Sequence, residues 1–266
     1  MREPPRTLPR IVDPGGDRPA VVFLHPFASD SRIWEPQLDA FESQCRVVTI
    51  DLPGFGPQAR PVGAVNLCET IGGVLDSLGL MKAHFVGASF GASVAIDVAL
   101  AYPRRVHSLT LVSPTLNGKK TGIAAWAECI KLANAGDRVS AIELYLTDPI
   151  FDGLRRQEMI FEYVRSLAFD YSCLHWMGKV TNKFKESAPD TRLAELTMPT
   201  LIVSGTKDVK VMRQVSDLLT KSLPAVRRAE IGGAGHFPAI ESATQFNRIF
   251  GTFLSDLKDG PAKFVP

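Results

Sequence analysis

Short apolar runs alternate with helix-like segments along most of the 266-residue chain. The run at 21–24 is continuously apolar, which is typical of a strand buried on both faces. Further strand-like runs lie at 46–50, 83–86, 108–112, 199–203 and 228–231. Segments with helical periodicity lie at 33–41, 67–80, 92–102, 212–223 and 245–257. This alternation predicts an α/β fold, a mostly parallel sheet covered by helices on both faces.

The alternation is interrupted between residues 116 and 189, where only helical or irregular segments are indicated. This stretch is too long for a bare loop, so we interpret it as an inserted helical cap. The core of the fold is then expected at 20–115 and 190–258. A proline-rich extended leader is expected at 1–19 and a short tail at 259–266.

The most informative motif is the pentapeptide Gly87-Ala88-Ser89-Phe90-Gly91, which stands between a predicted strand and a predicted helix. A Gly-x-Ser-x-Gly sequence in that context predicts a sharp strand-to-helix turn that exposes a serine hydroxyl at the carboxyl edge of the sheet. The glycines are needed because the turn is strained and the helix then packs closely on the sheet. Ser89 is therefore a candidate nucleophile.

A serine nucleophile needs a base and an acid that orients the base. His236 follows the strand at 228–231 and precedes the last helix, so it is expected at the same sheet edge as Ser89. Asp208 lies just past the preceding strand, one strand before His236. Asp51 also ends a strand, but the Pro-Gly-x-Gly turn after it indicates a role in loop geometry. The order Ser89, Asp208, His236 is the one expected for this turn.

The other four of the five histidines are expected to serve packing or loop geometry. His84 and His107 stand where strands begin, at the opposite edge of the sheet. His175 lies beside Trp176 in the insertion, and we interpret it as a packing residue. His25 ends a strand at the rim of the expected site, where it would brace a loop.

Five features together resemble the α/β-hydrolase family, in its serine-nucleophile, esterase- or lactonase-like branch with a helical cap. They are His25-Pro26-Phe27, the loop at 51–56, the Ser89 turn, Asp208 and Gly235-His236. The resemblance covers roughly 18–115 and 190–258. It implies that Ser89 is the nucleophile, His236 the general base and then acid, and Asp208 the orienting acid.

The resemblance also implies an oxyanion hole made by the backbone N–H groups of Phe27 and Phe90. Two residues depart from the family pattern. Pro26 stands where the family usually has glycine, and proline lacks an N–H, but the expected donor is the next residue. Ala92 stands where a further glycine is common, and alanine is small enough for close helix packing.

The insertion holds two of the three tryptophans and three of the four tyrosines. A small helical cap needs aromatic residues for its own packing. Some of them are also expected to line an apolar pocket over Ser89. The candidates for that pocket are His25, Trp126, His175 and Trp176.

These features predict a serine hydrolase that cleaves an ester, lactone or thioester of an apolar or aromatic small molecule through a Ser89 acyl-enzyme. One alternative is a carbon–carbon bond hydrolase of the ring-cleavage type, which shares the triad. Such relatives usually carry tryptophan after the catalytic histidine, where this chain has Phe237. Another is a ligand-binding or non-hydrolytic biosynthetic protein on the same scaffold.

The composition limits the classes of partner that the protein is expected to bind. Charged residues make up 22% of the chain and the net charge is +2, with basic residues scattered, so no nucleic-acid footprint is expected. No apolar run reaches membrane-spanning length. The four cysteines are widely spaced, as in a cytoplasmic protein with reduced thiols. No metal or cofactor is expected, and the sequence leaves the oligomeric state open.

Overall fold

The six predicted strands and one short strand within the expected leader form a seven-stranded sheet in a computed structural model, which describes residues 11–119, 123–185 and 188–258. The expected tail and the first ten residues of the expected leader lie outside the described residues. The strands of this sheet are β1 (Ile11–Val12), β2 (Ala20–Leu24), β3 (Arg46–Ile50), β5 (Ala83–Ala88), β6 (Val106–Val112), β8 (Thr200–Gly205) and β9 (Val226–Ile231).

The strands are ordered β1-β3-β2-β5-β6-β8-β9, and all neighbours are parallel except β1 and β3. Val22 of β2 is in register with Val48 of β3 and with Phe85 of β5. All five residues of β2 are buried, as the continuous apolar run predicts for a strand covered on both faces. The prediction of a mostly parallel sheet is confirmed.

Helices cover both faces of this sheet and fill the insertion. They are α1 (Glu35–Phe41), α2 (Leu67–Ser77), α3 (Phe90–Ala101), α4 (Trp126–Asn134), α5 (Arg138–Leu146), α6 (Asp152–Arg155), α7 (Glu158–Asp170), α8 (Lys210–Ser222), α9 (Pro238–Glu241) and α10 (Ala243–Lys258). Short 3₁₀ turns lie at Ser31–Trp34, Pro103–Arg105, Pro149–Phe151, Pro189–Thr191 and Leu193–Glu195. No helix in the described ranges is long and apolar enough to cross a membrane.

Helix α2 ends three residues before the bound expected from its periodicity. Gly79 has a φ of +66°, and the Leu80 N–H donates to the Leu75 carbonyl at 2.8 Å. This is the glycine-terminated arrangement in which the chain turns back on the last carbonyls of a helix. The apolar periodicity continues through Leu80 because that side chain is still buried after the helix has ended.

The expectation of only helical or irregular structure at 116–189 is wrong at one place. Strand β7 (Val180–Lys183) pairs in parallel with β4 (Gly63–Asn66) in a separate two-stranded sheet. The two strands support each other through backbone hydrogen bonds, and only Val180 among their residues is buried. The weak apolar pattern of an exposed pair gave no strand signal.

The insertion leaves the sheet after β6 and returns at β8, its neighbour in the sheet. We refer to residues 116–189 as the inserted segment. Because β6 and β8 are parallel neighbours, the segment begins at the carboxyl edge of the sheet, the edge where Ser89 follows β5. All four cysteines lie in the described residues, are buried and form no disulfide bond.

The face of the sheet toward which Phe23 points is covered by α1 and α10. Phe250 of α10 is fully buried, and its ring lies 6.1 Å from Phe23 and 5.1 Å from Phe41 of α1. Phe250→Ala removes this ring and leaves a cavity. We expect it to lower the free energy of unfolding by about 3–5 kcal/mol. Urea denaturation measures the loss, with Met81→Ala, at an 80% exposed position, as the control that stays within about 0.5 kcal/mol of wild type. Equal effects of the two substitutions would contradict this packing.

Candidate active site

Ser89 occupies the single-residue turn between the end of β5 and the start of α3. Its φ of +49° is strained for a residue other than glycine. Three hydrogen bonds hold the turn. The Ser89 N–H donates to the Val112 carbonyl at 2.9 Å, and the Ser89 carbonyl accepts from the hydroxyl and the N–H of Thr115. The end of β6 therefore fixes the strained residue that carries the nucleophilic hydroxyl.

The two glycines of the motif permit contacts between backbones. A Cβ at Gly91 would lie 2.2 Å from the Leu24 carbonyl oxygen, and a Cβ at Gly87 would lie 2.3 Å from the Gly91 carbonyl oxygen. Neither residue has a positive φ, so the requirement here is space rather than conformation. Any side chain at either position would push the first turn of α3 away from the sheet.

His236 and Asp208 meet Ser89 as the motif order predicts. The His236 Nε2 lies 2.9 Å from the Ser89 Oγ, and the His236 Nδ1 lies 3.0 Å from one Asp208 oxygen and 3.2 Å from the other. Both His236 and Asp208 are buried. An aspartate at Nδ1 keeps the proton on that nitrogen, which leaves Nε2 free to accept the serine proton.

Of the two expected oxyanion donors, Phe90 directly follows Ser89, and Phe27 lies in a loop whose first residues contact the start of α3. Phe90 is the first residue of α3, where the N–H groups have no partner within the helix. Phe27 belongs to the loop that follows β2, and that loop abuts Gly91. Neither N–H has a hydrogen-bond acceptor among the described residues. Both donors, with the positive end of α3, are therefore available to an anion that forms at this edge.

His25 braces the loop that carries Phe27. Its Nε2 accepts from the Leu52 N–H at 2.9 Å, so Nδ1 carries the proton and donates to the Pro26 carbonyl at 2.8 Å. Burial lowers the pKa of His25, which keeps the ring neutral. With both nitrogens engaged, His25 is not available as a base or as a polar contact for a substrate. Asp51 likewise serves the loop, since it accepts the Ser31 N–H at 2.7 Å.

The ring of Phe27 lies at the centre of an aromatic cluster, which we call the Phe27 cluster. Ring centroids within 4.7 to 6.2 Å of it belong to Phe55, Phe90, Trp126, Tyr145, Tyr171, His175 and Trp176. The last five come from the inserted segment, which therefore covers the loop beside Ser89. Three of the four pocket candidates from the sequence belong to this cluster, whereas His25 contacts it only through Phe55.

Polar contacts and ring stacking hold His175 within the cluster. Its Nε2 accepts from the Asn182 amide at 2.9 Å, its Nδ1 lies 3.3 Å from the Tyr171 hydroxyl, and its ring stacks on Phe55 at 4.2 Å. Burial lowers the pKa of His175 to about 4. These contacts agree with the packing role expected from the sequence.

His84 and His107 lie away from this site, as expected. Each is the second residue of its strand, at the amino end of β5 and β6, whereas Ser89 follows the carboxyl end of β5. Their rings stack at 5.2 Å, and the His84 Nδ1 lies 2.8 Å from the Ser108 hydroxyl. The pair contributes to the opposite edge of the sheet.

A model of the family described as the alpha/beta hydrolase family matches residues 21–249 of this chain. The chain belongs to the alpha/beta hydrolase family. The resemblance and the fold predicted from the sequence are thereby confirmed, and the relatives of this hydrolase support an enzymatic activity.

Two curated relatives cover nearly the whole alpha/beta hydrolase chain. The 3-oxoadipate enol-lactonase 1 of Acinetobacter baylyi is 26% identical over 95% of both chains. A 2-hydroxy-6-oxononadienedioate/2-hydroxy-6-oxononatrienedioate hydrolase of Burkholderia vietnamiensis is 30% identical over 91% of this chain and 89% of its own. Among solved structures, a thermophilic esterase from Thermogutta terrifontis matches with a TM-score of 0.79 at 21% identity over 93% of both chains.

Four residues beside these groups were not assigned to the site from the sequence. Phe55, Tyr145 and Tyr171 complete the Phe27 cluster, and Glu241 accepts hydrogen bonds from the loop around His236. The turn-rich sequence at 51–56 follows a strand of the sheet, and this position indicates that Phe55 is a neighbour of the site. Glu241 gave no signal, because a glutamate near the start of a final helix is usual.

The half-buried His175, whose pKa is lowered, predicts a pH dependence of stability. An unfolded histidine titrates near pH 6.5, so between that value and about 4 the unfolded chain binds a proton that the folded protein does not. Stability present above the unfolded pKa is therefore lost as the pH falls toward the folded pKa. In His175→Gln we expect the loss between about pH 7 and pH 5 to be smaller by about 1–2 kcal/mol. Urea denaturation at both pH values measures it. The pKa of His25 is lowered as well, but His25 is present in both the wild type and the variant. An equal pH dependence of stability in the two proteins would therefore contradict a lowered pKa of His175.

Proposed function

We propose that this hydrolase cleaves an ester, lactone or thioester bond of an uncharged apolar or aromatic small molecule through a Ser89 acyl-enzyme. The observation that carries the proposal is the 2.9 Å contact between the Ser89 Oγ and the His236 Nε2, with Asp208 on the opposite ring nitrogen. A serine hydroxyl gains nucleophilic reactivity at neutral pH from such a neighbouring base.

The chemistry follows in two halves. His236 accepts the Ser89 proton as the oxygen attacks the substrate carbonyl, and it returns that proton to the departing alkoxide or thiolate. His236 then deprotonates a water molecule that attacks the acyl-enzyme, and the proton passes back to Ser89 as the carboxylic acid leaves. The buried Asp208 carboxylate stabilises the imidazolium that forms in each half.

The negative charge that develops on the carbonyl oxygen needs fixed donors. The N–H groups of Phe27 and Phe90 are proposed for this role. Phe90 directly follows Ser89, Phe27 lies in the loop that contacts the start of α3, and neither N–H has another acceptor among the described residues. Pro26 withdraws no donor from this arrangement, since the proposed donor is Phe27. Its carbonyl accepts from His25 and so helps to order the loop.

The Phe27 cluster supports an uncharged, apolar substrate beneath the inserted segment, which then acts as a cap. Burial raises the pKa of Tyr145 and of Tyr171, so both phenols stay neutral at physiological pH. The cation–ring contacts in the described ranges involve Phe169 and Tyr102, which lie outside the cluster. Neither of these contacts places a cation on a ring of the cluster, and an apolar acyl or alcohol group would bury its surface against these rings.

A second candidate is hydrolysis of a carbon–carbon bond, which is favoured by a relative named as a 2-hydroxy-6-oxononadienedioate/2-hydroxy-6-oxononatrienedioate hydrolase at 30% identity. Phe237 follows His236, and its ring stacks on Phe151 of the inserted segment at 5.2 Å. Activated esters, lactones and vinylogous diketones assayed side by side separate the two candidates. A kcat/KM that is highest for the diketones would move the assignment to carbon–carbon bonds.

Ser89→Ala tests the nucleophile. We expect a loss on the order of 10⁶ in kcat with folding intact, as for other serine hydrolases that lose this group. A fluorophosphonate should label the wild-type protein once, at Ser89, and should not label His236→Ala, because only an activated hydroxyl attacks it. Mass spectrometry locates the label. A folded wild-type protein that is inert to the probe would instead indicate a ligand-binding role.

The choice of acid is tested by comparing Asp208→Asn with Asp51→Asn. The first keeps the shape but stabilises the wrong tautomer of His236, so we expect kcat to fall by on the order of 10⁴. The second weakens the hydrogen bond to the Ser31 N–H, so we expect it chiefly to lower the free energy of unfolding. If the folded Asp51 variant lost more kcat than the folded Asp208 variant, the two roles would have to be exchanged.

A further inference from the structure

The carboxylate of Glu241 accepts the backbone N–H groups on both sides of His236. One oxygen accepts from Gly235 at 2.6 Å and the other from Phe237 at 2.9 Å. Glu241 is the last residue of α9 and is buried. The two hydrogen bonds clamp the chain immediately before and immediately after the proposed base.

This carboxylate is buried without an ion-pair partner among the described residues. A buried charge is costly unless hydrogen bonds compensate it, and bonds from N–H groups to a carboxylate are stronger than neutral ones. The loop it holds has little conformational preference of its own, because Gly232, Gly233 and Gly235 precede His236. Glu241 holds the two residues that flank His236, whereas the Lys207 N–H and the Thr206 hydroxyl hold the loop further upstream, at Ala234 and Gly233.

The inserted segment packs on the same carboxylate. A Cβ at Gly153 of α6 would lie 2.2 Å from a Glu241 oxygen, and a Cβ at Gly235 would lie 3.0 Å from the Gly153 Cα. The Arg156 guanidinium donates to the Gly233 carbonyl at 3.3 Å. Residues 151–156 of the insertion are thus in contact with the histidine loop and with the side chain that holds it.

We propose that Glu241 is a positioning residue that holds the His236 imidazole in line with Ser89. Through Glu241, the packing of residues 151–156 also affects the position of that imidazole. The inference rests on the proposed role of His236 as the base. It adds a residue that touches neither substrate nor reacting atoms and acts only through the backbone at 235 and 237. In this proposal, the inserted segment affects the distance between His236 and Ser89 through the contact of Gly153 with Glu241.

Glu241→Gln is the direct test, because glutamine keeps the volume but replaces one accepting oxygen with an NH₂ that cannot accept an N–H. A displacement of about 1 Å in such a group costs on the order of 10²-fold in rate. We expect the rate of fluorophosphonate labelling per folded molecule and the kcat for p-nitrophenyl butyrate to fall by about 10- to 100-fold, with KM unchanged.

The control is Asp97→Asn. Asp97 is also a buried carboxylate that accepts two hydrogen bonds, from the Lys185 N–H at 2.9 Å and the Cys68 thiol at 2.7 Å, and these partners lie outside residues 151–156 and the His236 loop. We expect it to lose stability while the labelling rate per folded molecule stays at the wild-type value. Equal slowing by both variants would reduce Glu241 to a general contribution to folding and overturn the proposal.

Gly153→Ala perturbs the same carboxylate from the side of the inserted segment. It tests the positioning role of Glu241 even if Glu241→Gln does not fold. The added methyl must displace the Glu241 oxygen from its N–H donors, so we expect slower labelling and a lower kcat. Gly73→Ala is its control, since Gly73 also lies in a helix and a Cβ there meets nothing within 4 Å.

The outcomes separate this inference from the proposed function. A wild-type protein that the probe does not label contradicts the proposed triad itself. A wild-type protein that is labelled, with folded Glu241→Gln or Gly153→Ala labelled equally fast, leaves the triad standing and overturns the role of Glu241. Slower labelling in both, with wild-type rates in the two controls, supports it.

Discussion

The close approach of helix α3 to strands β2 and β5 is the constraint on which the site depends. A Cβ at Gly91 would stand 2.2 Å from the Leu24 carbonyl oxygen, so the helix can begin there only because the residue is glycine. That contact sets the first turn of α3, which carries the Phe90 N–H, against the end of β2 and the start of the loop that carries Phe27. The strained φ of Ser89 costs about 1–3 kcal/mol. Its hydrogen bonds to Val112 and Thr115 offset part of this cost.

The same kind of contact recurs between the acid and the base. A Cβ at Gly205, the last residue of β8, would lie 2.1 Å from the Gly235 carbonyl oxygen. This approach brings the turn that carries Asp208 against the loop that carries His236, which lets their side chains meet at 3.0 Å. Contacts between backbones, more than side-chain packing, therefore set the distances among the three groups. Substitution of either glycine would act on the chemistry without removing any reacting group.

The main sheet could be predicted from the sequence because most of its strands are buried on both faces and appear as apolar runs. The edge strand β1 lies within the stretch expected to be an extended leader, and its two half-buried residues give no such run. Strands β4 and β7 could not be predicted, because their pairing lies in backbone hydrogen bonds between segments more than a hundred residues apart. Ser89, Asp208 and His236 could be assigned because each follows a strand of the parallel sheet, β5, β8 and β9, and parallel strands end at one edge. The helix after Ser89 begins two residues earlier than its periodicity indicates, because the turn consists of Ser89 alone. Glu241 could not be found, since its partners are main-chain atoms that a sequence does not distinguish.

The inserted segment touches the proposed chemistry at two separate places. On one side it packs five rings around Phe27, whose backbone N–H is a proposed oxyanion donor. On the other side it packs Gly153 against the carboxylate that holds the loop of His236. A substrate that displaces the rings at Phe27 would therefore move a residue of the oxyanion loop, while a shift of α6 would move the base. Because both contacts belong to one segment, substrate fit and catalytic alignment are not independent properties of this fold. A substitution in the segment should change kcat and KM together when it alters the Phe27 cluster, and kcat alone when it alters the contact at Glu241.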